Sequence, residues 1–392
     1  MVKNQIVSKS RCCGCSACYN ICPQQAISMV FDDEGFLYPV INEQKCIDCN
    51  ACVRVCPVKN GVEKYEYPVR AYAAYSNDEI RRMNSSSGGV FPAIAEYVLS
   101  QNGVVFGAAF NKDYQVVHTK IDSISELYKL QGSKYVQSLL GKVFLLVKIE
   151  LISKKMVLFS GTPCQIEGLK KFLGKEYSNL YTIDLICHGV PSPKLWETYL
   201  DEEYGISNIT NIRFRNKKHG WENFDLTIET KNHIQHEASD ISIYKEDFLQ
   251  GFLKNLYLRP SCHNCSFKGM KHSSDITLGD LWGGRVICPQ FIKDDKGMSV
   301  VFVQSSKGKF LLNQLESKLI FNEVPLNEVI NHNLAMIQSE TPHPDRELFF
   351  KDLNSYNRSS IKKMIKKYIG PTLRKRISVY LRNKLSIKYK RK

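Results

Sequence analysis

Arg11-Cys12-Cys13-Gly14-Cys15-Ser16-Ala17-Cys18-Tyr19-Asn20-Ile21-Cys22-Pro23 is answered by Cys46-Ile47-Asp48-Cys49-Asn50-Ala51-Cys52-Val53-Arg54-Val55-Cys56-Pro57. Each half reads C-x2-C-x2-C-x3-C-P. Three closely spaced thiolates wrap one corner of an iron–sulfur cubane, and the fourth, beside a proline, reaches the other cluster. The expected assignment is therefore crossed. Cys12, Cys15, Cys18 and Cys56 hold one [4Fe–4S] cluster, and Cys46, Cys49, Cys52 and Cys22 hold the second. The alternative is a pair of zinc sites, because C-x2-C pairs also build zinc ribbons. A ribbon has no use for a third Cys at the same step, nor for a C-P ending in both halves. Cys13 falls outside the pattern and reads as a bystander thiol. The duplication is an internal repeat, as expected of a two-cluster ferredoxin.

Around this stretch the chain runs to 392 residues, enough for two or three domains. Hydrophobic content of 43% and charged content of 24% are those of an ordinary globular protein. Eight of the 14 cysteines belong to the cluster motifs, and clusters need reduced thiols, so the cytoplasm is the expected compartment. The first ten residues are polar and carry no apolar signal region, and no run of about 18 apolar residues is present to span a membrane. The formal net charge of +15 is local. Residues 361–392 hold 13 of the 54 basic residues and no Asp or Glu, which leaves 41 basic against 39 acidic residues elsewhere. The near-neutral body argues against a nucleic-acid partner.

Residues 1–66 form the ferredoxin-like module. Inside it, 27–31 and 36–41 flank Asp32-Asp33-Glu34-Gly35 as a hairpin. The clusters supply much of the folding energy of so small a unit. From residue 67 to about 345 the pattern changes to strands alternating with helices. Strands are expected at 69–75, 103–110, 156–160, 180–186, 209–214, 224–230, 275–278 and 299–304, and helices at 88–99, 139–152 and 165–173. The run 156–186 is a βαβ unit and implies parallel pairing. The fold class expected is α+β: a bacterial-type two-cluster ferredoxin module, then a larger mixed α/β domain, then a basic amphipathic tail at 346–392. No G-x-G-x-x-G follows a strand, so a dinucleotide would have to be held without the Rossmann fingerprint.

Several loops at predicted strand ends carry residues suited to a ligand. Ser85, Ser86, Ser87, Gly88 and Gly89 offer hydroxyls and free N–H groups at a helix start, either an anion site or a plain cap. Lys134, Tyr135, Gln137 and Ser138 combine a cation, a ring and polar groups in one loop, which either grips a phosphate or is a surface loop. Gly161, Thr162, Pro163, Cys164 and Gln165 open a helix, where the helix field is expected to lower the Cys164 thiol pKa. Cys187 and His188 end the next strand, and Cys262-His263-Asn264-Cys265 is a further C-x2-C. Together Cys164, Cys187, Cys262 and Cys265 are candidates for a third cluster, with a zinc site or unligated thiols as the alternatives. The basic and aromatic run 213–221 suits an acidic ligand, and Asp280 with Trp282 suits a ligand wall or a tight turn. Cys164, His188, Lys134 and Asp280 are the candidates for catalysis.

Taken in order, these loops resemble the coenzyme F420 hydrogenase/dehydrogenase beta subunit family, in the form with a fused N-terminal two-cluster ferredoxin. The resemblance rests on S-S-S-G-G-V-F from Ser85, G-S-K-Y-V-Q-S from Gly132, G-T-P-C-Q from Gly161, C-H-G-V-P-S-P from Cys187, the pair Cys262 and Cys265, and S-D-I-T-L-G-D-L-W-G from Ser274. It covers about residues 1–290. It implies an iron–sulfur flavoprotein that holds FAD without a Rossmann fingerprint and passes electrons between flavin and clusters. The serine–glycine loop, the Lys134 loop and the Gly161 loop would line the FAD site, and the four later cysteines would be ligands of an additional cluster. The partners implied are an organic substrate and an electron donor or acceptor such as a ferredoxin. Members of this fused type also occur in polysaccharide biosynthesis loci. The alternative role is a non-catalytic electron-transfer subunit.

In the tail, Ile361, Met364, Ile365, Tyr368 and Ile369 form one apolar stripe, and Leu373, Ile377, Tyr380, Leu381 and Leu385 resume it after Gly370-Pro371. With Lys and Arg between, the pattern fits a helix on an anionic membrane surface, at the inner face of the membrane, or a helix packed on the body.

Overall fold

The structure, a computed structural model, describes residues 6–62, 67–231, 233–237, 246–291, 294–357 and 360–370. The N-terminal module is built as its sequence predicts. The hairpin pairs β1 (Ile27–Phe31) with β2 (Leu37–Ile41) antiparallel. Its turn closes where the Asp32 carboxylate accepts the Phe36 N–H at 3.0 Å and Gly35 takes a φ of +81°, which a side chain would strain.

The second domain is a mixed sheet with helices on its faces. Its strands are β3 (Arg70–Ser76), β4 (Val104–Phe110), β5 (Val116–Ile121), β6 (Val157–Ser160) and β7 (Leu180–Leu185). A separate antiparallel sheet holds β8 (Ile209–Asn216), β9 (Asp225–Thr230) and β10 (His233–Glu237), after which β11 (Ile276–Asp280), β12 (Ser299–Val303) and β13 (Leu319–Val324) return to the main sheet. The main sheet runs β13-β3-β12-β11-β7-β6-β4-β5. Its centre, β11-β7-β6-β4, is parallel, and the flanking pairs are antiparallel. The predicted βαβ unit is present as β6, the helix Pro163–Leu173 and β7. That helix starts where it does because Thr162 and Gln165 cap each other's backbone and Pro163 needs no N–H partner; Gly174 stops it in a left-handed conformation.

Strand direction decides where the loops go. The C-terminal ends of β6, β7 and β11, together with the end of β3, open on the same edge of the sheet. This edge therefore collects the loops that follow Ser76, Ser160, Leu185 and Asp280. Open α/β sheets hold ligands there.

Two expectations need correcting. The strands Val116–Ile121, His233–Glu237 and Leu319–Val324 are additions; β5 and β13 are edge strands of mixed polarity, where alternation is weak. The tail does not begin at residue 346. The helices Arg346–Asn354 and Ile361–Ile369 pack into the body, with Phe349, Phe350, Leu353, Ile361, Ile365 and Tyr368 buried in one cluster with Trp196, Phe248 and hairpin residues Phe36 and Tyr38. The first apolar stripe is thus spent on core rather than on a membrane. The second, Leu373, Ile377, Tyr380, Leu381 and Leu385, lies outside the described residues. Among the described residues no helix is long and apolar enough to cross a membrane.

Candidate functional site

The structure sets thiols of the two cysteine motifs near one another. Cys12, Cys15 and Cys18 line one cavity together with Cys56 from the other half. Cys22 lies beside Cys52 and Cys46: burial raises the Cys52 thiol pKa, and these two neighbours raise it further. Among the described residues no three His, Cys, Asp or Glu side chains converge as they would on a single metal ion. Cys12, Cys15, Cys18 and Cys56 lie round the wall of their cavity. Cys49 is exposed, so the second cluster site opens on solvent, while Cys12, Cys15 and Cys56 are buried against the second domain.

A second thiol-lined cavity, about 700 Å³ including its mouth, lies at the common loop edge of the sheet. Cys164, Cys187, Cys262 and Cys265 all line it, so the structure brings together the four later cysteines. Three segments supply them. Cys164 sits in the first helical turn after β6, Cys187 follows β7, and Cys262 lies within the short turn Pro260–Asn264 with Cys265 just after it. Cys13 lines it as well. The bystander of the sequence reading is therefore a fifth thiol here, and it lines the ferredoxin-module cavity beside Cys12 as well. Contact with the Cys13 thiol, and then burial, push the Cys164 thiol up, not down as its helix position predicts. Burial also pushes Cys187 up and Cys262 up to about 12. Arg11, Arg259 and Lys268 are the charged side chains of the lining, which has no carboxylate. Four soft ligands in a cationic, carboxylate-free chamber fit an anionic iron–sulfur cluster.

The loops expected to share one cofactor site divide between this cavity and a polar face beside it. Thr162, Pro163, Gln165 and Gln137 line the cavity, and Gly161 donates its N–H to Ile183 at 3.0 Å. On the polar face, Ser86 Oγ accepts the N–H of Ser133 at 2.7 Å and its hydroxyl at 2.8 Å, tying the serine–glycine loop to the Lys134 loop. Ser85 and Ser87 are committed to the carbonyls of Arg81 and Met298. Gly88 donates to Ser299 at 3.0 Å, and a Cβ there would meet the Ala74 carbonyl at 2.4 Å. Gly89 has a φ of +84°. Buried Lys217 fixes the loop from behind, donating to the carbonyls of Arg82, Ser87 and Lys296.

Lys134 is half-buried, donates to the carbonyls of Gln131 and Gly132 at 3.0 and 3.2 Å, and is pushed down to about 7 by desolvation. Tyr135 stacks on Phe252 with centroids 5.1 Å apart. Ser138 hydrogen-bonds His118 Nδ1 at 2.9 Å and accepts from Gln165 at 2.9 Å. His118 gave no sequence signal, yet it links two of the loops. Its Nε2 donates to the Ser160 carbonyl at 3.0 Å, and burial pushes its pKa down to about 4, so it is neutral.

Two catalytic candidates read differently in place. Asp280 accepts from Arg215 and, at 3.1 Å, from Trp221 Nε1, and so anchors those side chains. His188 is held by Asn255 at 2.7 Å and Glu340 at 3.3 Å at the rim of the thiol cavity. Arg215 is buried with its Nε and Nη2 donors unpartnered. These two N–H groups form one side of a guanidinium, the edge that matches a carboxylate or phosphate.

The model of the coenzyme F420 hydrogenase/dehydrogenase beta subunit N-term matches residues 71–144, and that of its C terminus matches residues 154–329. Two 4Fe-4S dicluster domain models match residues 11–60 and 38–87. The chain is 26% identical over 326 residues to the coenzyme F420-dependent sulfite reductase of Methanocaldococcus jannaschii, covering 80% of this chain and 47% of that protein. It thus spans about half the length of this relative. A chain of the F420-reducing [NiFe] hydrogenase complex from Methanosarcina barkeri aligns over 80% of this chain and 93% of its own length, at 16% identity and a TM-score of 0.45. With the dicluster motif at its N-terminus and both halves of the beta subunit in order behind it, the chain belongs to the coenzyme F420 hydrogenase/dehydrogenase beta subunit family.

Proposed function

We propose that this protein is an iron–sulfur flavoprotein that exchanges an electron pair with an organic substrate and single electrons with a protein partner such as a ferredoxin. The observation that carries the reading is the single cavity lined by Cys164, Cys187, Cys262 and Cys265, with Cys13 of the ferredoxin module on its wall. These four thiols would hold a third [4Fe–4S] cluster. A line of cluster sites then runs from solvent-exposed Cys49, through the site of Cys12, Cys15, Cys18 and Cys56, to the loop edge of the second domain.

The flavin is assigned to the polar face beside that cavity. Bound there, FAD would supply the conversion between an electron pair and single electrons. The chain's own residues bind and orient. Ser86 and Ser133 lock the two loops together. Lys134 and the unpartnered edge of Arg215 favour an anionic group, and Tyr135 offers a ring for stacking. The reduced deazaflavin coenzyme named in the relatives is one substrate class for the site; a precursor in polysaccharide assembly is another. The basic segment beyond Gly370 is assigned to an anionic membrane surface, which sedimentation with anionic vesicles, with and without residues 371–392, tests.

The second reading is an electron-transfer module that turns over no small molecule and serves a partner enzyme. It draws on the 47% coverage of the sulfite reductase, whose activity as a whole does not come with the match. Anaerobic purification with iron, sulfide and flavin quantified on one sample separates the two. About twelve irons and one flavin per chain support the flavoprotein, and about eight irons with no flavin uptake support the relay.

A further inference from the structure

Arg259 lies between two thiol sites, and among the described residues no carboxylate forms an ion pair with it. It is fully buried, at 0% exposure. Its Nε donates to the carbonyl of Cys12 at 2.7 Å, its Nη1 to Gln137 Oε1 at 2.8 Å and its Nη2 to the carbonyl of Leu37 at 2.9 Å. Gln137 in turn donates to the carbonyl of Cys13 at 3.1 Å. One guanidinium and one amide thus hold the two carbonyls of the Cys12–Cys13 pair. Cys12 lines the ferredoxin-module cavity, Cys13 lines both that cavity and the second-domain cavity, and Arg259 lines the second-domain cavity too.

The sequence makes room for this approach at one position. Gly14 has a φ of +70°, and a Cβ on it would stand 2.9 Å from both Arg259 Nη1 and Gln137 Nε2. Tyr38 offers its ring face 4.2 Å from the guanidinium carbon. Neither contact supplies a negative charge. A buried cation is strongly disfavoured unless a counter-charge is present. A [4Fe–4S] cluster on four thiolates is anionic and becomes more so when reduced, so the cluster sites are where that counter-charge belongs.

We propose that Arg259 is the electrostatic coupler of the two cluster sites. Its charge favours the reduced state of the cluster held by Cys12, Cys15, Cys18 and Cys56. Its hydrogen bonds fix the Cys12–Cys13 segment that would carry one electron from that cluster to an oxidised [4Fe–4S] cluster held by Cys164, Cys187, Cys262 and Cys265, with no bond made or broken. Hydrogen bonds, charge and burial around a cluster are the levers that set its potential. The ferredoxin-module half of this proposal stands on the dicluster motif alone, and only the acceptor rests on the third-cluster reading above.

The test uses the full chain purified anaerobically, with Arg259→Gln, Arg259→Lys and Gln137→Glu variants. Iron content, thermal melting and a redox titration followed by electron paramagnetic resonance are read on each. In Arg259→Gln one of the two ferredoxin-module waves moves to more negative potential while the other holds. At the wild-type midpoint its reduced-to-oxidised ratio falls about tenfold or more, which is about 59 mV for one electron. Arg259→Lys keeps the charge and loses the fork, so it lowers the melting temperature with less than half that displacement. Gln137→Glu leaves Arg259 in place and sets a carboxylate against it, so it also moves that wave negative. It decides the matter if Arg259→Gln does not retain iron. Unshifted waves in the iron-loaded variants, or shifts as large in Arg259→Lys as in Arg259→Gln, overturn the proposal. An iron content of about eight instead of twelve removes the third cluster and leaves the Arg259 test standing.

Discussion

Glu34, in the turn of the N-terminal hairpin, and Arg346, at the start of a C-terminal helix, form a two-pronged ion pair across 312 residues of sequence. Arg346 also donates its Nε to the Leu258 carbonyl at 2.9 Å, three residues before Ser261 in the Cys262 turn. The pair therefore clamps the ferredoxin module, the second domain and the C-terminal helices together. Breaking one side of a shielded pair leaves the other unpaired. Glu34 keeps 22% of its side chain exposed, so water screens part of the loss. Glu34→Gln is expected to cost about 1–3 kcal/mol in urea unfolding of the iron-loaded protein. A change within about 0.5 kcal/mol would make the pair an ordinary surface contact.

Lys134 gives the polar face a pH dependence. Desolvation lowers its pKa to about 7, so it carries a charge below that pH and loses it above. If it grips the phosphates of a flavin, affinity falls as pH rises through 7. Binding FAD takes up a proton, and the dissociation constant at pH 8 is expected to be about tenfold weaker than at pH 6. Flavin fluorescence titration at the two pH values measures this, and Lys134→Met should bind weakly and equally at both. A wild-type affinity that does not change with pH would remove Lys134 from the anion site.

The legible parts of this chain are those whose constraint is local. Cluster ligands sit at fixed steps, so the two dicluster motifs are read from spacing alone. The βαβ pattern of residues 156–186 places Gly161 and Cys187 at the ends of neighbouring parallel strands, as found. What the sequence withholds is convergence over distance. Nothing adjacent to Arg259 or His118 marks them, because their partners lie 247 and 42 residues away. Cys13 reads as a bystander because its place on the walls of both cavities depends on residues far along the chain. At Cys164 the helix-terminus argument pointed down, and contact with Cys13 together with burial won. The stripe of Ile361, Ile365 and Tyr368 is the same whether it covers a membrane or a core; only packing against Phe349 decides it.

His118 predicts an acid limit to stability. Burial holds it neutral with a pKa of about 4, whereas the unfolded chain protonates near 6.5. Above pH 6.5 both states are neutral and the group contributes nothing to the pH dependence. As pH falls from 6.5 to 4 the unfolded state gains the proton first, and stability drops by about 3 kcal/mol in total before levelling off. His118→Gln lacks this titration. The difference in unfolding free energy between wild type and variant should shrink or reverse between pH 7 and pH 4.5. A constant difference would mean that His118 titrates alike in both states.

Gly168 sets two effects against each other, and their sizes decide the outcome. It lies inside the helix Pro163–Leu173, where replacing glycine by alanine ordinarily stabilises by about 1 kcal/mol. Here a Cβ would stand 2.8 Å from Cys15 Cβ and 2.9 Å from Cys15 Sγ. The helix and the cluster-binding loop approach so closely that a methyl group fits only if one of them retreats, and the loop is the shorter and less supported. Gly168→Ala is therefore expected to leave the second domain as stable as before, or slightly more so, while displacing Cys15 from its cluster. Iron should fall by about four per chain, and the cluster of Cys22, Cys46, Cys49 and Cys52 should persist. Iron analysis with thermal melting of the same preparation reads both effects. Full iron with a raised melting temperature would show that helix propensity outweighs the contact and that the Cys15 loop yields without losing its metal.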